Sequence, residues 1–108
     1  MWKISILTLF PEIYPGPLNL SVTGKALERG IYSIEANNIR DFAFDRHKTV
    51  DDTPYGGGSG MVIRPDVLGL AIEKHFIPNG FPIVYLSPRG KTFNQSVAQE
   101  WTQLEGIN

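Results

Sequence analysis

The chain opens on Trp2-Lys3-Ile4-Ser5-Ile6-Leu7-Thr8-Leu9-Phe10, a run rich in β-forming residues that Pro11 closes. Side chains alternate between the two faces of a strand, so the apolar residues of this run fall on both faces. A strand that is apolar on both sides is typical of a parallel sheet covered by helices. We therefore predict a first strand at residues 3–10, buried on both faces, and we expect the rest of the fold to supply the covering layers.

The segments that follow alternate between helix and strand signals. Helix formers, start signals and terminal glycines or turns predict three helices, at residues 22–29, 66–76 and 94–104. Short β-rich runs predict three further strands, at residues 31–39, 61–63 and 82–86. This order predicts an α/β layered fold with a largely parallel sheet and flanking helices, in a single domain spanning residues 1–108.

Composition limits the function classes. The formal charge is −1 over 108 residues, so no overall basic surface indicates nucleic-acid binding, and any RNA contact must come from local patches. The absence of cysteine excludes disulfides and thiolate metal sites, and two separated histidines do not predict a metal centre. The longest apolar run is far too short to cross a bilayer. These features fit a cytoplasmic protein.

The last residues, Leu104-Glu105-Gly106-Ile107-Asn108, look like a helix exit followed by the first step of another strand. An unfinished fifth strand would leave an apolar sheet edge open. We expect these 108 residues to be the front portion of a longer polypeptide, the alternative being a frayed natural terminus.

Two loops can carry chemistry, because ligands of open α/β sheets collect at the carboxyl ends of the strands. The first loop follows the strand that ends in Tyr85-Leu86 and reads Ser87-Pro88-Arg89-Gly90. Backbone groups there can read the edge of an adenine, while Leu86 and Pro88 offer apolar faces to its ring. The same four residues also make an ordinary strand-to-helix turn.

The second loop runs from Asp45 to Met61 and contains Gly56-Gly57-Gly58-Ser59-Gly60. It lacks the Lys-Ser/Thr ending of a phosphate-binding loop, so it is either a flexible hinge or a platform for a flat ligand. Arg46, His47 and Lys48 can contact phosphates or base edges, and Asp51 and Asp52 can orient a base or accept a proton. Each of these charges taken singly is also compatible with a solvated loop.

Aromatic and charged residues outside these loops receive structural interpretations. In Arg40-Asp41-Phe42 we predict a salt bridge within the loop, with Phe42 and Phe44 anchoring it to the core. Trp2, Phe10 and Trp101 are assigned to core or subunit packing.

Several motifs together resemble bacterial tRNA (guanine-N1)-methyltransferases, the family that methylates guanine 37 beside the anticodon. The resemblance covers essentially all 108 residues and is carried by Met1-Trp2-Lys3-Ile4, Leu9-Phe10-Pro11-Glu12, Val22-Thr23-Gly24-Lys25-Ala26, Arg40-Asp41-Phe42, the run from Asp45 to Met61, and Tyr85-Leu86-Ser87-Pro88-Arg89-Gly90. It implies a SPOUT-class domain with a trefoil knot, a cytoplasmic homodimer, S-adenosylmethionine as cofactor and the anticodon loop of tRNA as partner.

The resemblance also assigns residues to roles. Tyr85, Leu86, Ser87 and Pro88 would line the adenosine pocket. On the substrate side, the assigned residues are Arg46, His47, Asp51, Gly58, Ser59 and Gly60. The catalytic aspartate of the family and its knot would lie past Asn108, so the resemblance implies that the 108 residues alone are inactive.

Two functions from other classes stay open at this point. One is a non-enzymatic RNA- or nucleotide-binding module that uses the same two loops. The other is a self-associating structural fragment whose exposed sheet edge pairs with another copy.

Overall fold

A parallel sheet forms the centre of the computed structural model, which describes residues 1–52 and 62–108. Strand β1 (Trp2–Thr8) lies between β2 (Tyr32–Asn38) and β5 (Gly106–Ile107), and both neighbours run parallel to it. A separate antiparallel pair joins β3 (Asp51–Asp52) to β4 (Val62–Ile63). The predicted α/β class with a parallel sheet is confirmed.

Three α-helices accompany the sheet: α1 (Ser21–Glu28), α2 (Pro65–His75) and α3 (Gln95–Trp101). Short 3₁₀ helices occupy Pro11–Ile13, Gly16–Asn19 and Ile39–Phe42. Local chemistry explains two of the α-helix starts. Pro65 stands in the first turn of α2, where its missing N–H costs nothing, and the Asn94 side chain caps α3 by accepting from Val97 N at 2.9 Å.

Helices lie on both faces of the sheet. Trp2 and Tyr32 are paired across β1 and β2 and so share one face. On that face the Tyr32 hydroxyl donates to the Thr23 carbonyl of α1 at 3.0 Å, and Trp2 Nε1 donates to the Trp101 carbonyl of α3 at 3.1 Å. Leu7 belongs to the opposite face, where it packs beside Val67 of α2.

The core cluster lies near the carboxyl ends of β1 and β2. Ile39, Val50 and Val67 are 4%, 1% and 0% exposed and pack together, with Leu7, Leu9, Phe42, Ala43 and Leu68 around them. These residues come from β1, the loop after β2 and the start of α2. Burial of this cluster therefore fixes the beginning of the long loop against the sheet.

Most predicted elements match the structure within a few residues, namely the first two strands, all three helices and the strand step at Gly106–Ile107. The strand predicted at 61–63 appears as Val62–Ile63, while Met61 lies outside the described residues.

Two packing predictions are wrong. Phe44 does not anchor its loop, because it is 65% exposed. Phe10 is 55% exposed and so lies outside the core, while its alternative role in subunit packing stays a prediction. Arg40 forms no salt bridge with Asp41 among the described ion pairs; its guanidinium donates to the Lys48 carbonyl at 3.3 Å. Adjacent residues point in different directions, which leaves Asp41 facing solvent.

The strand predicted at residues 82–86 is present only in part. Residues 82–86 form no regular strand, but Val84 N donates to the Asn108 carbonyl at 2.8 Å and Asn108 N donates to the Pro82 carbonyl at 2.9 Å. This is the bond pattern of a parallel pair with Ile83 opposite Asn108. Pro82 has no N–H to add to such a ladder, so the pairing stays short.

Candidate functional site at the carboxyl edge of the sheet

The carboxyl ends of the strands meet at one edge of the sheet. On β1, Ile4 pairs with Ile34 of β2 on one side and with Ile107 of β5 on the other. Ile83 lies opposite Asn108, the residue that follows Ile107. Continuing each strand at the same rise brings Thr8, Asn38 and Leu86 to the same level. The two loops singled out from the sequence therefore begin at the same edge.

The Ser87 turn (residues 87–90) closes with its own hydrogen bonds. Gly90 N donates to the Ser87 carbonyl at 3.1 Å, and Arg89 N donates to Ser87 Oγ at 3.2 Å. The Ser87 hydroxyl thus shapes the turn, which is the structural role that its sequence allowed.

The two residues before this turn are unusually open. Tyr85 is 88% and Leu86 is 86% exposed, although both have large apolar bodies. Their backbone N–H groups donate to no other group in the described part of the chain. Apolar side chains beside unpaired backbone donors can bind a flat, nitrogen-containing ring, because the side chains contact its face and the N–H groups its edge.

The loop after β2 is held in a defined shape. Asn38 Oδ1 accepts from Arg40 N at 2.9 Å and starts the 3₁₀ helix, and Phe42 packs edge-to-face on His75 with ring centroids 5.5 Å apart. Further along, Val50 is buried in the core cluster. The residues between these anchors are therefore positioned from both ends.

Between the anchors lies the basic turn (residues 45–49). The Asp45 carboxylate accepts from Thr49 N at 2.6 Å and from the Thr49 hydroxyl, and these bonds lower the pKa of Asp45, the hydroxyl bond most. Lys48 has φ of 56°, in the left-handed region, and its carbonyl accepts from Arg40. The closed turn leaves Arg46, His47 and Lys48 exposed.

The remaining predicted substrate residues divide into two groups. Asp51 is exposed in β3, where it pairs with Ile63. Gly58, Ser59 and Gly60 lie outside the described residues. Arg46, His47 and Asp51 thus lie exposed in the loop that follows β2. The substrate roles of these residues and of the glycine run stay predictions.

One ion pair near the edge was missed by the sequence reasoning. Arg64 donates to Asp66 through Nε at 3.3 Å and through Nη2 at 2.9 Å. This pairing lowers the pKa of Asp66 and raises the pKa of Arg64. The signal was available, because Arg-Pro-Asp places a carboxylate in the first turn of a helix and a guanidinium just before it.

The ion pair joins α2 to the loop. Arg64 N donates to the Val50 carbonyl at 2.6 Å, and Val67 N donates to Asp66 Oδ1 at 3.0 Å. The basic turn, the β3–β4 pair and the start of α2 thus form one unit on the β2 side of the edge. The Ser87 turn follows segment 82–86, which lies beyond β1 and β5. Three strand spacings separate this segment from β2, so the two strand ends are about 14 Å apart.

Residues 1–52 and 62–108 contain no group of three or more His, Cys, Asp or Glu side chains that could hold a metal ion. No helix in the same ranges has the length and apolarity needed to span a membrane.

Comparison with known proteins gives one consistent result. Residues 2–107 match the family model described as tRNA (Guanine-1)-methyltransferase TrmD. The chain is 57% identical over 102 residues to a tRNA (guanine-N(1)-)-methyltransferase of Rhodospirillum rubrum, covering 94% of this chain and 42% of that protein. Proteins of the same name from Wolbachia pipientis and Cereibacter sphaeroides are 50% and 48% identical, each over 98% of this chain. The chain spans less than half the length of these curated relatives.

Proposed function

The chain belongs to the tRNA (guanine-N1)-methyltransferase family, and from this premise we propose that its carboxyl edge supplies one part of a site that methylates N1 of guanine 37 in tRNA. The proposed methyl donor is S-adenosylmethionine. The observation that carries the proposal is the shared edge itself, because exposed Tyr85 and Leu86 flank it on one side and the basic turn on the other. A donor and an acceptor must approach each other in line for methyl transfer, so two loops at one edge suit that task.

The residues present fit the adenosine part of the cofactor. The unpaired N–H groups of Tyr85 and Leu86 can bind the edge of an adenine, and the Leu86 and Pro88 side chains can cover its faces. Ser87 holds the turn through Arg89 N and so keeps these groups in place. The cofactor would supply an activated methyl group on a sulfonium.

The substrate side would use the basic turn. Arg46, His47 and Lys48 are exposed on a turn that Asp45 and Thr49 close, and cationic side chains of this kind bind RNA phosphates. RNA loops present unstacked bases, which a protein can read on their Watson–Crick edge. We propose the anticodon loop as the partner, with Asp51 and residues 58–60 on the side of the guanine.

Assembly and location follow the same family premise. We propose a cytoplasmic homodimer, in which apolar side chains that are exposed in the single chain meet a second copy. Ile13, Leu20 and Val22 are 58%, 68% and 77% exposed, which suits such a contact. We expect no methyl transfer by the 108-residue chain alone, since it spans less than half of its relatives.

Titration of the ¹⁵N-labelled chain with S-adenosylmethionine tests the proposal. We expect saturable amide shifts at residues 85–90 and at the neighbouring ends of β1 and β2, with weak affinity. Leu86→Ala should weaken binding about tenfold, because an apolar contact is lost. Ile77→Ala removes a similar exposed aliphatic side chain elsewhere and should leave binding unchanged.

Shifts centred elsewhere, or equal binding by the Leu86→Ala protein, would contradict the proposed cofactor site. The competing interpretation is an RNA-binding module without methyl transfer. It is favoured if an anticodon stem-loop shifts the amides of residues 46–48 while the cofactor shifts none.

A further inference from the structure

A cavity lies against residues 3–5 of β1 and 33–35 of β2, about three residues before the carboxyl ends of these strands. It has a volume of about 280 Å³ and is lined on the sheet side by Lys3, Ser5, Ser33 and Glu35. His75, at the end of α2, and Phe81 form its other wall. We name this cavity the sheet pocket.

The floor of the sheet pocket is unusual for an α/β sheet, since it is polar. Lys3 pairs with Ser33 and Ser5 pairs with Glu35, so the four side chains form a square on one face. Their Cα atoms are about 5 Å apart across the strands and about 7 Å apart along them. The two charged residues occupy opposite corners, and the two hydroxyls occupy the others.

One of these hydroxyls lacks a partner although its residue is buried. Ser5 is 9% exposed, and its side chain has no hydrogen bond to any residue in the ranges that the structure describes. Every polar side-chain atom that is fully inaccessible in those ranges has a hydrogen-bond partner. Since Ser5 Oγ has none, it must be partly accessible at the surface of the cavity. A buried hydroxyl facing a cavity favours a hydrogen-bonding occupant.

The two charged side chains of the pocket, Lys3 and Glu35, make few hydrogen bonds or ion pairs within the protein. Glu35 Oε1 accepts from Asn37 Nδ2 at 2.9 Å and lies 3.9 Å from His75 Nδ1, which leaves Glu35 Oε2 for another donor. Lys3 has no ion pair within residues 1–52 and 62–108. The side-chain amide of Asn79 already bonds Asn108, His75 and Phe81. It therefore lines the pocket but has no hydrogen-bonding group left for a ligand.

Size and charge together select a ligand class. The volume is about nine times the ~30 Å³ that one water molecule occupies in the liquid, and it is just below the ~300 Å³ at which drug-sized pockets begin. A carboxylate and an ammonium at opposite corners complement a molecule that carries both opposite charges. The Phe81 ring offers an apolar surface to any side chain of that molecule.

We propose that the sheet pocket binds a small zwitterion of amino-acid size, with its ammonium on Glu35 and its carboxylate on Lys3 and Ser33. The Ser5 hydroxyl bonds the bound molecule from the floor. This site is separate from the carboxyl edge and does not depend on methyl transfer.

Titration of the ¹⁵N-labelled 108-residue chain with L-leucine tests the proposal, with acetate and methylammonium as half-ligands. We expect saturable amide shifts at Ser5, Ser33 and Glu35, and an affinity at least about tenfold weaker for either half-ligand. Glu35→Gln keeps the shape but removes one charge and should weaken L-leucine binding by a similar factor. Glu28→Gln, on the exposed side of α1, is the matched control and should bind as the unchanged chain does.

Lys3→Met provides a second variant at an exposed position, and circular dichroism confirms that each variant is folded. The proposal is overturned if L-leucine gives no saturable shift at these residues. It is also overturned if acetate binds as tightly as L-leucine, or if Glu35→Gln and Lys3→Met both leave the affinity unchanged.

Discussion

Asp45 shows how one side chain can shape a functional loop. Its two oxygens accept from the backbone and the hydroxyl of Thr49, which closes the basic turn and directs three basic side chains outward. Sequence reasoning assigned Arg46 and His47 to the substrate but gave no role to Asp45. An Asp four residues before a Thr is too common a pattern to predict a closed turn without its backbone conformation.

The pKa of Asp45 offers a direct check on this turn. The folded-state pKa lies below the ordinary value of 3.8, chiefly because the Thr49 hydroxyl bonds the charged form. The bonds therefore contribute stability above the unfolded pKa, and this contribution is lost as the pH falls through the folded pKa. We expect Thr49→Val to raise the pKa of Asp45 toward 3.8, as measured by titration of its carboxyl ¹³C resonance.

Thr102→Val serves as a control for that titration, since its hydroxyl bonds the Gln99 carbonyl instead of a carboxylate. It should leave the pKa of Asp45 where it is. An unchanged pKa in the Thr49→Val protein would show that the hydroxyl does not hold the carboxylate in solution.

At the scale of elements, the strands and helices were largely predictable because their signals are local. Periodicity and caps located β1, β2 and all three α-helices. The β3–β4 pair was only half anticipated, because Asp51–Asp52 is a poor strand former by composition and becomes a strand through pairing with Val62–Ile63.

Gly106 illustrates packing that no local signal predicts. A Cβ at this position would be driven into the Lys3 carbonyl oxygen and would lie 2.6 Å from Phe81 Cε2. We expect Gly106→Ala to lower the free energy of unfolding by about 1–3 kcal/mol, as overpacking does elsewhere. Urea unfolding followed by circular dichroism measures the change.

Gly69, in the middle of α2, is the matched control. A Cβ there meets nothing within 4 Å, so Gly69→Ala should add about 0.5–1 kcal/mol through helix propensity. Opposite signs for the two variants would confirm the close contact between β1 and β5. Equal effects would show that β5 does not pack against Lys3 and Phe81 as described.

At the scale of the whole molecule, the sequence predicted the class of fold and the edge that carries the candidate site. The general rule for open α/β sheets was sufficient for this, once Tyr85-Leu86 was recognised as a strand end. The polar square of the sheet pocket was not predictable. It depends on the register of β1 against β2, which places Lys3 beside Ser33 and Ser5 beside Glu35.

The central claim is that the basic turn and the Ser87 turn flank one edge of the sheet. The sequence contains no cysteine, so spin labels can be placed at chosen pairs without removing any native residue. His47→Cys with Pro88→Cys labels the two turns. Ile31→Cys with Pro88→Cys labels one turn and the opposite end of β2, which is seven residues or about 23 Å long.

All three positions are exposed, so the labels should leave the fold intact, and circular dichroism verifies this for each protein. Pulsed electron spin resonance then gives the two label-to-label distances. We predict that the 47–88 distance is clearly shorter than the 31–88 distance. The reverse order would place the two turns at opposite ends of the sheet and would contradict a shared site for a methyl donor and a purine.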